Sequence, residues 1–144
     1  MLLPTIGTCG DNAHSIGFGL GPIYNGLGLN YEIPMSTSSN YFSLGCPGIG
    51  YGDSAGLILD CGLGYSFVST ILSKSNKHGI GGNIGLGYSG SNVNSGLTYH
   101  AGVHYSYFYD GIHNKGWNFH IGPAVRHFNN RYSPTAFFGF GYQF

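Results

Sequence analysis

Charged and titratable side chains are scarce enough in this chain of 144 residues to be followed one by one. Only 7% of positions are Asp, Glu, Lys or Arg, five acidic against five basic, where an ordinary soluble domain carries roughly 25%. Three of the seven histidines, His100, His104 and His120, fall in two neighbouring segments at one phase of an alternating pattern, so a single sheet face collects them. Histidines gathered this way can bind a metal or respond to pH. No ligand spacing is enforced, however, so the expectation is a hydrogen-bonded polar core with no metal and no cofactor. Glu32, Asp60 and Arg126 share that face, with Asn30, Asn83, Asn118 and Gln143. An unpaired buried charge is expensive, so Arg126 is expected between Glu32 and Asp60 in an ion-pair cluster. Cys9, Cys46 and Cys61 match no metal spacing and are too few for a disulfide scaffold. Cys46 and Cys61 lie close across a hairpin and are expected as small unbridged residues, because bridges between neighbouring strands fit the required geometry poorly. A neutral chain has nothing to neutralise a run of phosphates, which excludes a nucleic-acid partner.

The elements that must hold these residues are strands. Gly occupies 27 positions, which disfavours long helices. Only Ser66 to His78 has helical spacing, with Phe67, Val68, Ile71 and Leu72 on one face and Gly79 as a stop. Elsewhere the period is two. Leu57, Leu59, Cys61, Leu63, Tyr65 and Phe67 alternate with Ile58, Asp60, Gly62, Gly64 and Ser66; Trp117, Phe119, Ile121, Pro123 and Val125 alternate with Asn118, His120, Gly122, Ala124 and Arg126. Each strand thus has one bulky face and one tiny or polar face. Eight strands are expected at 14–20, 26–33, 41–51, 55–68, 79–89, 97–109, 117–128 and 135–144, with a bulge near Cys46-Pro47-Gly48-Ile49. The recurring Gly-Φ-Gly-Φ, as in Gly62-Leu63-Gly64-Tyr65, is a strand recipe rather than a phosphate loop, since no helix follows it.

The charge count decides which face is outside. The small face is too poor in charge to meet water, so the pattern inverts: large apolar side chains face lipid, and glycine with a few polar groups lines the interior. Tyr31, Tyr41, Tyr51, Tyr65, Tyr88, Tyr107, Tyr109 and Trp117 then form interfacial girdles. No apolar run is long enough for a spanning helix, and Met1-Leu2-Leu3-Pro4 does not look like a secretory signal. The expected fold is an all-β, closed antiparallel up-and-down transmembrane β-barrel over 14–144. Residues 1–13 form an N-terminal segment that serves as a plug or a periplasmic arm.

The last residues carry a resemblance. Phe138, Phe140, Tyr142 and Phe144 alternate up to the end of the chain, which closes in Tyr142-Gln143-Phe144. This resembles the C-terminal strand of small eight-stranded Gram-negative outer-membrane β-barrels, a pattern likeness covering about residues 14–144. The resemblance implies a location in the cell outer membrane. It implies contact with the bilayer and lipopolysaccharide, and an assembly signal at Phe138, Phe140, Tyr142 and Phe144 read by the barrel assembly machinery. With both termini periplasmic, 21–25, 52–54, 90–96 and 129–134 become external loops, and 34–40, 69–78 and 110–116 become periplasmic turns. Lys74, Lys77 and Lys115 fall in those turns, where they could meet a periplasmic or membrane protein partner.

The expected role is non-catalytic: a structural barrel, a narrow pore or a docking unit. Two alternatives remain. One is a lipid A-modifying hydrolase, which His127 near the end of the penultimate strand suggests, although Asn129 stands where a nucleophilic serine belongs and Ser133 lies in a turn. The other is a Gly/Tyr-rich extracellular structural protein.

Overall fold

The computed structural model describes residues 14–52, 56–73, 75–90 and 95–144. Eight strands follow one another around a closed barrel: β1 (Ser15–Gly21), β2 (Gly26–Met35), β3 (Ser38–Gly52), β4 (Gly56–Ser69), β5 (His78–Gly90), β6 (Ser95–Phe108), β7 (Gly116–Phe128) and β8 (Arg131–Gln143). Every neighbouring pair is antiparallel, and β8 returns to β1. The expected all-β, up-and-down barrel is the observed one. The β1–β2, β3–β4, β5–β6 and β7–β8 connections share one end, called here the upper end. His14 and Phe144 lie at the lower end.

Local differences from the expected spans have identifiable causes. The stretch that could have been helical continues β4 to Ser69 and then turns, because Val68 and Ser66 face the interior in strand phase. The expected loop 129–134 is a two-residue hairpin. Asn129 and Asn130 take φ of 49° and 58°, successive left-handed conformations that match the twist of the flanking strands and that Asn tolerates well. Strand β8 therefore begins at Arg131 and includes Pro134. The Phe144 N–H donates to the Ile16 carbonyl at 2.8 Å, so even-numbered residues of β8 direct their backbone groups toward β1. Pro134 is one of them, yet β1 reaches only Phe140–Gln143, so its missing donor faces a free edge. The bulge expected in β3 is present: Gly45 opposes Gly62 while Gly48 opposes Asp60, leaving Cys46 and Pro47 both against Cys61. That extra residue changes the local geometry. Contrary to expectation, Cys46 and Cys61 are joined by a disulfide, with Cα atoms 3.9 Å apart.

The faces are inverted as the pattern required, except that Tyr41, expected in an outward girdle, shares the inner phase of Ser39 and Ser43 and is buried. Leu63 and Phe138 are about two-thirds exposed, at 64% and 65%. Phe140 and Phe144 also point outward. Among the described residues, no Asp, Glu, Lys or Arg of the strands is on the outer face. Aromatic side chains gather in two outward bands. The lower one includes His14 on Tyr31, Phe42 against Tyr65, His78 between Tyr105 and Tyr107, and Trp117 against Tyr142. The upper one includes His127 between Tyr99 and Tyr132.

The axis is filled by a connection rather than by wall side chains. Residues 21–25, expected as an external loop, turn into the barrel. Gly21 and Gly26 have φ of 124° and 88°, and Asn25 is left-handed at φ 54°. These three positions reverse the chain around a 3-10 turn, Pro22–Tyr24, whose residues are all buried. Small wall residues make the room. A Cβ added to Gly19 would lie 2.7 Å from the Tyr24 ring, one on Gly141 would fall against the same ring, and one on Gly64 would lie 2.9 Å from Asn25 Cβ. The inner turn is tethered to the walls: Ser66 Oγ donates to the Pro22 carbonyl at 3.0 Å and Asn25 Nδ2 to the Gly45 carbonyl at 3.4 Å. Below it, Ile112 from the β6–β7 connection folds under the barrel. It joins Ile23, Tyr24, Tyr41, Val68 and Phe108 in one apolar cluster. The segment 1–13, expected as plug or arm, lies outside the described residues, as do Cys9 and Lys74.

If the glycine wall exists to accommodate the inner turn, Gly141→Ala lowers stability by about 1–3 kcal/mol. With Tyr24→Ala already in place, the same substitution costs less than about 0.5 kcal/mol. The denaturant midpoint read by Trp117 fluorescence across the double-mutant cycle checks this.

Candidate functional site

Strand alternation sends the scarce polar groups inward, and the inner turn divides them into three layers. The lowest is built on Glu32 of β2, which is 2% exposed. Ser15 Oγ donates to Glu32 Oε2 at 2.6 Å, Ser39 Oγ to Oε1 at 2.5 Å, and the Tyr41 hydroxyl to Oε1 at 3.3 Å. Gln143 Nε2 donates to Ser15 Oγ at 2.7 Å and to Asn30 Oδ1 at 3.2 Å. This chain of bonds crosses β8, β1, β2 and β3. It reinforces the β8–β1 seam, where the ladder spans only Gly17–Leu20.

The middle layer lies beside Tyr24. Asn118 Oδ1 accepts from the Tyr24 hydroxyl at 2.9 Å and from His120 Nε2 at 2.8 Å, while His120 Nδ1 accepts from Ser106 Oγ at 2.8 Å. One ring tautomer satisfies both contacts. The His104 ring stands edge-on to His120 with centroids 5.9 Å apart. Neither His104 nitrogen has a protein partner, and neither do the two amide atoms of Asn83. Opposite His104 the β6–β7 ladder is interrupted, resuming at Tyr105 against Ile121. Pro123, which offers no N–H, stands within that gap.

The upper layer contains the ion pair. Arg126 Nη2 lies 2.6 Å from Asp60 Oδ2, and Thr98 Oγ1 donates to Asp60 Oδ1 at 2.7 Å. His100 faces Phe137 at 5.9 Å between ring centroids. Above them, Arg126, Phe128, Asn129, Arg131 and Ser133 line a cavity of about 510 Å³.

The six residues expected as an interior polar set, Glu32, Asp60, His100, His104, His120 and Arg126, therefore do face inward, but not as one cluster. Asp60 and Arg126 pair. Glu32 does not join them, because it lies at the lower end of β2 and is held by hydroxyl groups instead. The histidines divide between two layers, and among the described residues no group of three His, Cys, Asp or Glu side chains is placed to hold a metal ion. Tyr24 and Ser106 were not singled out from sequence. Ser106 shares the phase of His100 and His104 and was readable on that ground. Tyr24 gave one signal, an apolar pair Ile23-Tyr24 inside a presumed water-facing loop. The hydrolase alternative finds no assembled pair here: His127 points outward between Tyr99 and Tyr132, whereas Ser133 opposes Arg126 on the inner face.

No protein-family model, curated protein or solved structure matches the chain, so the functional reading rests on its own geometry.

Removing the Glu32 carboxylate leaves three hydroxyls without their acceptor. Glu32→Ala is expected to lower stability by about 1–3 kcal/mol, and Glu32→Gln, which keeps an acceptor oxygen, by less. Urea titration checks the order. Equal losses for the two variants contradict the hydroxyl-acceptor role.

Proposed function

We propose that this chain is a Gram-negative outer-membrane β-barrel whose interior is sealed by its own connections, and that it acts without catalysis as a structural and docking unit of that membrane. The single observation that carries the reading is the inversion of faces. The outer surface is a continuous apolar belt between two aromatic bands, while Glu32, Asp60 and Arg126 are turned inward. Such a surface suits hydrocarbon bounded by two interfaces. Closure of the β8–β1 seam pairs the backbone around the lower part of the barrel, as lipid demands. The longer strands, such as the 13 residues of β7, exceed the ~9–11 needed to cross obliquely.

Three further features support the setting. The Cys46–Cys61 bond suits an oxidising compartment. Phe138, Phe140, Tyr142 and Phe144 present an alternating aromatic row at the seam strand, in the form expected of a signal for the barrel assembly machinery. Lys77 and Lys115 lie at the lower end with His14 and Phe144, on the side a periplasmic partner would meet. The inner turn and the Ile112 cap favour a sealed barrel over a narrow pore, because together they close the axis at two heights.

Two measurements test this. Folded into detergent or lipid, the chain is expected to migrate as a heat-modifiable monomer. An insoluble fibre in its place supports the Gly/Tyr-rich structural alternative. In planar bilayers the native chain is expected to give no discrete current. A variant with Pro22–Asn25 replaced by two glycines and with Ile112→Gly is expected to conduct. Steady current from the native chain favours the pore.

A further inference from the structure

The inward diversion of the chain at Gly21 leaves a gap in the upper wall. Strand β1 pairs with β8 only at Phe140–Gln143, with Gly21 still lying against Gly139, so residues 131–138 of β8 have no neighbour on that side among the described residues. Strand β2 pairs with β3 no higher than Cys46, with Gly26 still against Pro47, so 48–52 are likewise unflanked among the described residues. Among the described residues, no strand fills the wall between these two edges above the Gly21–Gly26 pair that ends the β1–β2 hairpin. The exposure of β8 agrees. Arg131, Ser133 and Thr135 belong to the inner face by alternation, yet all three are exposed. The gap is not set up to be closed by another strand, because Pro134 directs its donorless nitrogen into it, and proline at a free edge blocks continuous pairing.

Behind the gap lies the upper cavity, of about 510 Å³. Its polar wall holds Arg126 and Arg131. In the β7–β8 register Arg126 opposes Ser133 and Arg131 opposes Phe128, which makes the two arginines diagonal neighbours on one face, about 7–8 Å apart. Asp60 uses one amino group of Arg126, and Arg126 Nε is buried without a partner. Among the described residues, two guanidinium groups against one carboxylate leave one positive charge, beside the Ser133 hydroxyl. Phe128 supplies the apolar part of the lining; Phe137 continues the inner face of β8 below Thr135, and Leu20, Leu27, Ala136 and Phe138 are exposed on the outer face beside the gap.

We propose that this cavity binds a single-chain alkyl carboxylate admitted sideways through the gap between β8 and β3. The surplus of one positive charge matches a monovalent carboxylate, which the guanidinium fork receives in two parallel bonds. The alkyl chain lies over Phe137 and leaves between Ala136 and the hairpin tip. The cavity volume falls within the usual range for small-molecule sites, roughly 300–1,000 Å³. The inference rests on the membrane reading above, since the ligand arrives from the bilayer.

The test uses the full chain folded in zwitterionic vesicles, with Phe137→Trp as reporter in a Trp117→Phe background. The probe is brominated dodecanoate, which quenches a nearby indole. Saturable quenching is expected, weakened at least tenfold by Arg131→Gln, a change at an exposed position outside the ion pair. Brominated dodecanol is expected not to saturate, and bromoacetate not to compete. Competition by bromoacetate at similar concentration reduces the site to a simple anion site and overturns the proposal, as does quenching indifferent to Arg131→Gln. Heat-modifiable migration is scored on the same samples. A chain that keeps it while failing to quench loses the ligand site but not the barrel reading, and a chain that lacks it loses the barrel reading itself.

Discussion

An eight-stranded barrel encloses an axis that has to be filled, and the way this chain fills it shapes most of the molecule. Large wall side chains are directed outward, and the inner wall is dominated by glycine and small polar residues. The filling therefore has to come from elsewhere. It comes from Pro22–Tyr24, buried completely, and from Ile112 below. Diverting the chain inward at Gly21 has a second consequence, because β1 ends there and covers only part of β8. The exposed inner residues of β8, the tolerance of Pro134 in a strand and the gap beside β3 all follow from that single reversal. A barrel with bulky inner side chains would have had no need of the turn, and its first hairpin could have extended to full height.

The polar interior follows the same division. Placing Glu32, Asp60 and Arg126 inside a narrow barrel removes them from water, so each needs compensation close by. Two different solutions appear at the two ends. Asp60 receives a cation and a hydroxyl, where the upper cavity leaves Arg126 partly open to solvent. Glu32, enclosed at the lower end, receives three hydroxyl donors from the two flanking strands, β1 and β3. The second arrangement also holds strands together where the ladder is shortest, so the carboxylate contributes to closure as well as to solvation.

What could be read from the sequence was whatever depends on local alternation. The eight strands, the inward phase of His100, His104, His120, Asp60 and Arg126, the outward phase of Phe138 and Phe140, and the irregularity at Cys46-Pro47 are all properties of neighbours in the chain. What could not be read depends on distant parts. Nothing within 21–25 says that Ile23 and Tyr24 find their environment between glycines of β1 and β8. The Asn129-Asn130 hairpin was hidden because Ser133 and Pro134 look like loop residues until β8 is known to lack a partner beside them. The ion-pair cluster was overdrawn for a related reason: phase places Glu32 and Asp60 on one face, but height along the barrel axis depends on strand register and stagger. The disulfide turns on how the β3 bulge repositions Cys46, and alternation alone does not supply that.

The two ends of the molecule are consequently not equivalent. At the lower end the Ile112 cap, the Glu32 network and the connection between Ile112 N–H and the Asn76 carbonyl at 2.9 Å make a closed, cross-linked base beside His14 and Phe144. At the upper end the first hairpin is short, the wall is incomplete, and the interior is open down to the inner turn. A sealed base with an open upper half is a poor conduit, since nothing crosses the layer of Tyr24 and Ile112 without unpacking the core. The cavity above the turn, by contrast, presents fixed polar groups without any rearrangement of the strands. The asymmetry is therefore one of construction: a closed, cross-linked base below, and a wall left short above and to the side.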